Sequence, residues 1–375
     1  MKKIAILTIN DYNNYGNRLQ NYATQEVIRS FGFQVETIIY ERNANNTPLN
    51  FKDKLQKFFN LQSKDKYDLI KTKASYFFYK KIINNRIKVI KQFTHNYIYE
   101  TNFSISINNI PEDLHSRYDF FITGSDQVWN PKLGFGTSID FLTFAPIHKR
   151  IAYAPSFGIS EIPQNYIKNY QKWISEIPYL SVREQVGADI IKKLTGRESI
   201  VLIDPTLMLS KEKWVSISKS VVKKPHKYLL VYFLGKISYE IMQYIQQISF
   251  EYNLEVVYLA SLKDKARYIV DPSEFIDYFN SANIIFTDSF HGTIFSILFE
   301  KPFIVFDRLG RLPSMNSRID TLLAKFKLEC RKWENIKNNN DIFNIAFSHV
   351  QLIIEEERNK ALDFLRNALN VRGEN

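Results

Sequence analysis

The sequence predicts an α/β protein built of two doubly wound, Rossmann-like halves that face each other across a cleft, and three observations predict it. Short apolar, β-branched runs alternate with stretches of helical spacing along almost all of the 375 residues. The rhythm closes once, at Asp204-Pro205, and resumes near Met208, so the halves are expected at 1–207 and 208–375. Polar clusters follow several of the runs, as in open parallel sheets that present ligand-binding groups at the carboxyl ends of their strands.

Taken in order, residues 4–9 are apolar and β-branched. Residues 16–31 have helical spacing through Leu19, Tyr22, Ala23 and Val27, and 34–40 read as a second strand, which gives a βαβ opening. A basic helical insert is expected at about 51–100. Residues 118–123, Tyr-Asp-Phe-Phe-Ile-Thr, form a buried strand ending at Gly124. Strands at 150–153, 179–182 and 199–203 follow, with helices at about 163–176 and 184–195. In the second half a short helix at 211–216 precedes a central strand at 227–234. Helix 238–252, strand 255–260, helix 272–280, strand 284–287, helix 290–299 and strand 303–306 then alternate strictly. The tail, 343–369, reads as a long amphipathic helix that packs back across both halves. No short repeat or low-complexity segment interrupts the pattern.

At 45% hydrophobic and 15% aromatic the chain has ample material for a core. A single cysteine, Cys330, excludes an intramolecular disulfide framework and fits a reducing compartment. The start, Met-Lys-Lys-Ile-Ala-Ile-Leu, is charged like a signal peptide but lacks its long apolar stretch and cleavage site, and no apolar run approaches the ~20 residues of a membrane span. A soluble, cytoplasmic protein is expected. The net charge of +11 is concentrated: residues 51–91 hold twelve Lys/Arg against three Asp, interleaved with Phe58, Phe59, Tyr67, Tyr76, Phe77, Phe78 and Tyr79. Such a segment suits peripheral contact with an anionic membrane, and equally an ordinary amphipathic helical pair with a solvated lysine face. No nucleic-acid motif accompanies it, so no nucleic-acid partner is expected. His95, His115, His148, His226 and His349 are scattered without ligand spacing, so no metal site is assigned. No bound organic cofactor is expected.

Candidate chemistry gathers at strand ends. At 284–297 an apolar run passes into Asp288-Ser289-Phe290-His291-Gly292 and turns helical, which puts His291 where free backbone N–H groups face an anion, or makes it a helix-capping residue. Asn14, Tyr15, Gly16 and Asn17 follow the first strand, with Gly16 for a tight turn and the asparagines as caps or ligand contacts. Gly124, Ser125, Asp126, Gln127, Val128, Trp129 and Asn130 follow another. There Asp126 suits a general base or an Asx turn, and Trp129 offers a flat face for a sugar or a place in the core. Arg183-Glu184 can fork onto an anion or pair internally.

These motifs, with Tyr153-Ala154-Pro155-Ser156-Phe157-Gly158 and Asp204-Pro205-Thr206-Leu207, in this order over roughly 3–310, closely resemble the polysaccharide pyruvyl transferase family. The resemblance implies a fold like that of the two-domain GT-B glycosyltransferases. It implies transfer of pyruvyl from phosphoenolpyruvate, a co-substrate, to two hydroxyls of a sugar, giving a ketal on a surface polysaccharide or its lipid-linked precursor. It assigns acid/base work to His291, with Asp126 as the lesser candidate, and donor binding to Arg183, Ser289 and Gly292. Asn14, Tyr15, Gly16, Asn17, Gly124, Ser125, Trp129 and Asn130 are expected to line the cleft or hold the acceptor. One departure stands out: members often carry Arg-Leu-His or Arg-Phe-His at the histidine, and this chain has Ser289-Phe290 before His291. The Ser289 hydroxyl, backbone N–H groups and another cation, Arg183 or Arg318, would then replace the arginine, or the donor differs. A GT-B glycosyltransferase using a nucleotide sugar and a non-catalytic carbohydrate-binding protein are the alternative functions.

Overall fold

The structure, a computed structural model, describes residues 1–42, 63–221, 224–262, 264–309 and 316–371, with 63–78 and 340 described by backbone alone. Two parallel sheets form its frame. The first contains β1 (Lys3–Leu7), β2 (Gln34–Tyr40), β3 (Glu100–Ile105), β4 (Phe120–Thr123), β5 (Arg150–Ala152), β6 (Tyr179–Val182) and β7 (Ile200–Val201), in the order β3-β2-β1-β4-β5-β6-β7. The second contains β8 (Tyr228–Tyr232), β9 (Glu255–Tyr258), β10 (Ile284–Thr287) and β11 (Phe303–Val305), in the order β11-β10-β8-β9. In each sheet the strand order reverses beside the first strand, and loops leaving the carboxyl ends there diverge to open a crevice.

The helices are α1 (Tyr15–Ser30), α2 (Ser63–Tyr97), α3 (Ile167–Ser175), α4 (Gln185–Thr195), α5 (Pro205–Met208), α6 (Lys211–Ser216), α7 (Tyr239–Glu251), α8 (Lys265–Tyr268), α9 (Pro272–Ser281), α10 (Phe290–Leu298), α11 (Ser317–Lys325) and α12 (Ser348–Ala368). Strands covered by helices on both faces need no polar side, which is why β4, β8 and β10 are wholly buried and built of apolar and aromatic residues, save the threonines that end β4 and β10. Register then sets their ends level: Leu7 lies opposite Thr123 and Thr123 opposite Ala152, while Tyr232 lies opposite Thr287. The loops that follow emerge side by side.

The described helix of the basic insert ends at Tyr97, and Glu100–Ile105, for which no element was expected, follows as the edge strand β3. Over its described side chains α2 is amphipathic, with Ile90 and Phe93 in the core and Lys80, Lys81, Lys88 and Lys91 exposed. Residues 51–62, including Phe58 and Phe59, and the side chains of Tyr67, Tyr76, Phe77 and Phe78 lie outside the described residues.

One hydrophobic core runs through both halves, joining Ile4, Leu19 and Tyr22 to Tyr232, Phe275 and Phe295, with Val350, Ile354 and Leu365 of α12 packed into it. A polar clamp reinforces this seam. The buried Tyr15 hydroxyl donates to Val270 O at 2.7 Å, and Arg86 Nη1 donates to Tyr15 Oη at 2.9 Å and to Tyr268 O at 2.7 Å. The Arg86 guanidinium also lies 4.2 Å from the Tyr15 ring centroid. Arg358 of α12 donates to Leu207 O and Leu209 O at 2.7 and 2.8 Å, so the tail returns over the segment that joins the halves.

Candidate active site

The site forms where the amino ends of α1 and α10 meet. After β10, the Asp288 carboxylate accepts from the N–H groups of Leu234 and Gly235, both at 2.7 Å, and Ser289 Oγ caps α10 by accepting from Gly292 N at 3.2 Å. This fixed turn carries His291 to the seam, where it is 8% exposed. A Cβ on Gly292 would come 2.4 Å from Thr287 Oγ1, so only glycine lets the helix start this close to its strand. From the other half, Asn14 caps α1 by accepting from Asn17 N at 3.3 Å. Gly16 serves a close approach rather than the expected tight turn: it lies inside α1, and a Cβ there would fall 2.1 Å from His291 Nδ1.

The facing wall comes from the loops after β4, β6 and β7. Arg183 Nη1 donates to Asp204 Oδ2 at 2.6 Å, and Nη2 stands 3.8 Å from Asp126 Oδ1. Asp204 Oδ1 accepts from the N–H and hydroxyl of Thr206 at 3.0 and 2.7 Å, and Oδ2 also accepts from Ser125 Oγ at 3.1 Å. His291 Nε2 lies 3.7 Å from Asp204 Oδ2, outside direct hydrogen-bond range, and has no hydrogen-bond partner among the described residues. Asp126, at φ +71°, accepts from Asn17 Nδ2 at 2.9 Å and from Gln127 N at 2.8 Å. Glu184, the sequence-level partner for Arg183, instead accepts from Ser156 Oγ and Phe157 N at 2.8 and 2.9 Å.

Burial alone would raise the Asp204 carboxyl pKa, but the adjoining His291 ring, Arg183 and the Thr206 hydrogen bond hold it well below the usual carboxylate range. Asp126 is likewise held low against its burial, by Arg183, His291 and Asn17. Burial would also lower Arg183, and Asp204, Asp126 and Glu184 overcome it and raise the guanidinium pKa. The wall therefore presents fixed charges of both signs to a ring that reaches it from the opposite half.

Of the residues singled out in the sequence, His291, Asp126, Arg183, Ser125, Asn17 and Gly16 converge here. Gly124, at φ +122°, stands behind them, where a Cβ would fall 2.1 Å from Tyr153 O. Others do different work. Trp129 does not line the cleft: it is fully buried, stacked on Phe141 with centroids 4.7 Å apart, and its indole N–H donates to Asp140 O. A large apolar ring one turn beyond a strand end gains more by joining that cluster than by facing water. Asn130 is a buried cap, accepting from Lys132 N and donating to Gln127 Oε1. Tyr15 belongs to the seam, and Asn14 and Ser289 are helix caps. Asp204 was visible in a motif but carried no assigned role. In the structure it caps the short helix α5, and nothing local discloses its pairing with Arg183.

Two parallel α/β halves with reactive groups meeting at their seam define a GT-B-like two-domain protein. A structure from Listeria monocytogenes described as a UDP-N-acetylglucosamine 2-epimerase superposes with a TM-score of 0.55 at 11% identity, covering 100% of this chain and 98% of that one. The S. aureus MnaA-UDP co-structure gives 0.50 at 12% identity, covering 99% and 98%. At these identities the likeness is one of fold. No curated protein matches the sequence significantly. The chain belongs to the polysaccharide pyruvyl transferase family, whose model matches residues 14–309.

Proposed function

We propose that this protein transfers a pyruvyl group from phosphoenolpyruvate to two hydroxyls of a sugar, forming a cyclic ketal and releasing phosphate. The carrying observation is the meeting of His291, with its unpartnered Nε2, and the Arg183–Asp204–Asp126 wall across the seam. C3 of the donor must gain a proton so that C2 becomes electrophilic. The first hydroxyl then adds to C2, the C2–O bond to phosphate breaks, and the second hydroxyl closes the ketal. Of the two protons lost by the hydroxyls, one balances that gained at C3 and the other leaves with phosphate. His291 supplies and recovers protons. Arg183 binds the anionic donor, Asp204 holds Arg183 and faces the ring, and Asp126, kept ionised, accepts from an acceptor hydroxyl.

The acceptor is a sugar of a surface polysaccharide or its lipid-linked precursor. We assign it to the cavity of about 550 Å³ beyond β1 and β2, lined by Asn10, Asp11, Tyr40, Glu41, Arg42 and Phe135. A hydrogen-bond chain links the cavity's Asp11 to the wall: buried Asn17 accepts from Asp11 N at 3.0 Å and donates to Asp126. The exposed lysines of α2 would hold the enzyme peripherally at the inner, anionic face of a membrane where a lipid-linked acceptor resides.

The test is phosphate release from phosphoenolpyruvate that depends on a saccharide acceptor, with the ketal identified in the product. Thermal stabilisation by uridine or guanosine diphosphate, with none by phosphoenolpyruvate, would instead favour a nucleotide-sugar glycosyltransferase. Glycan binding that survives loss of His291 and Arg183, without turnover of any donor, would make the protein a binding module.

A further inference from the structure

We propose that Arg318, with Arg183, forms a two-cation seat for a phosphate or carboxylate group beside Phe290, and so supplies the positive charge that Ser289 does not. This rests on the donor reading above for the identity of the ligand, though not for the existence of the seat.

Arg318 is the second residue of α11 and is 5% exposed. Among the described residues it makes no hydrogen bond or ion pair, and its buried Nε has no partner. Its Cζ lies 5.5 Å from the Phe290 ring centroid, and Arg183 Cζ lies 4.5 Å from the same ring. Arg183 is 4% exposed, and its Nε and Nη2 also lack hydrogen-bond acceptors. His291 Nε2, on the residue next to Phe290, is the third orphan. Three segments distant in sequence thus bring buried, unsatisfied polar groups to one place.

Folded proteins rarely leave a buried guanidinium without an acceptor, because the loss of hydration is uncompensated. The nearby carboxylates are largely committed. Asp204 accepts from Thr206, Ser125 and Arg183, and Asp126 from Asn17 and Gln127. Glu184 Oε1 accepts from Ser156 and Phe157, while Oε2 has no partner. Asp204 already pairs with Arg183, so that guanidinium alone is neutralised in place, and Arg318, which has no ion pair among the described residues, is needed for the seat to attract an anion. Burial, followed by repulsion from Arg183, pushes Arg318 down to about 10, so it stays charged at neutral pH, and an arriving anion relieves both effects.

Arg318→Met and Arg318→Lys in the full chain test this by titration calorimetry with phosphoenolpyruvate and, separately, with inorganic phosphate, beside thermal melts without ligand. The expected result is ~10- to 100-fold weaker binding of both anions to Arg318→Met, with Arg318→Lys between it and wild type. Without ligand, Arg318→Met melts at or above the wild-type temperature, because it removes an unpaired buried charge and keeps the apolar volume. Unchanged affinity for both anions, or a ligand-free melt well below wild type, overturns the proposal. Wild-type binding of phosphate but not phosphoenolpyruvate rejects the donor reading, and loss of that phosphate binding in Arg318→Met still upholds the seat. Wild type that binds neither anion overturns the seat itself.

Discussion

Gly16 and His291, 275 positions apart in sequence, touch so closely that a single added carbon on the glycine would fall 2.1 Å from the imidazole Nδ1 and 2.4 Å from Cγ. The histidine ring is therefore seated against the backbone of the opposite half, and its position is set by what the glycine lacks.

Gly16→Ala separates position from stability. Alanine favours a helix by about 1 kcal/mol over glycine, while overfilling a packed contact costs about 1–3 kcal/mol, so melting should change little. Turnover should fall by about 100-fold, because the ring must move by a substantial part of an ångström. Near wild-type turnover with an unmoved melting temperature would show that the ring's seat is not needed for the reaction.

His291→Asn removes the only ring nitrogen facing Asp204 and leaves the cap of α10 untouched. Ketal formation should drop by about 100- to 10,000-fold, the usual range for a general acid/base, with an unaltered circular dichroism spectrum. A folded variant that works at the parent rate would take His291 out of the chemistry.

Asp204→Asn should be both destabilising and less sensitive to acid. Breaking one side of a buried ion pair costs about 3–5 kcal/mol, here by leaving Arg183 Nη1 short of its charged partner. The sign of the pH effect follows from the depressed carboxyl pKa: the proton is bound less readily folded than unfolded, so this stabilisation is complete above the unfolded value near 4 and is lost as pH falls toward the folded one. Wild type should lose stability below about pH 5 more steeply than Asp204→Asn. Parallel urea-unfolding profiles for the two proteins from pH 7 to pH 3 would contradict the pairing.

The seam clamp makes a measurable pair. Tyr15→Phe should cost about 1 kcal/mol and Arg86→Met about 1–3 kcal/mol, since the latter leaves Tyr268 O and Asn13 O without their donor. The two changes should couple by more than about 0.5 kcal/mol in a double-mutant cycle. Strict additivity would mean that the contact carries no energy of its own.

The legible parts of the fold are those whose reasons are local. β10 was readable to the residue because a strand buried on both faces is a short apolar block that ends sharply in polar residues. β3 was not, because Glu-Thr-Asn-Phe-Ser-Ile at a sheet edge follows a long helix with no turn signal between. α11 was overlooked although Ile319, Leu322 and Leu323 carry helical spacing. In the site, motif order exposed His291, Arg183 and Asp126. Arg86 lay inside a lysine-rich helix, where composition suggested only a solvated or membrane-facing surface, and its clamping role depends on carbonyls from both halves. Charged residues take their function from partners far along the chain, and spacing cannot name those partners.

If the proposed reaction holds, the continuous core ties activity to the completed fold. A chain in which only the first sheet has formed holds carboxylates and an arginine with no histidine to work against, and one in which only the second has formed holds a histidine with nothing opposite it. On the proposed reaction neither half alone would hold the full set of reacting groups, so activity would require that both sheets have closed around their shared interior.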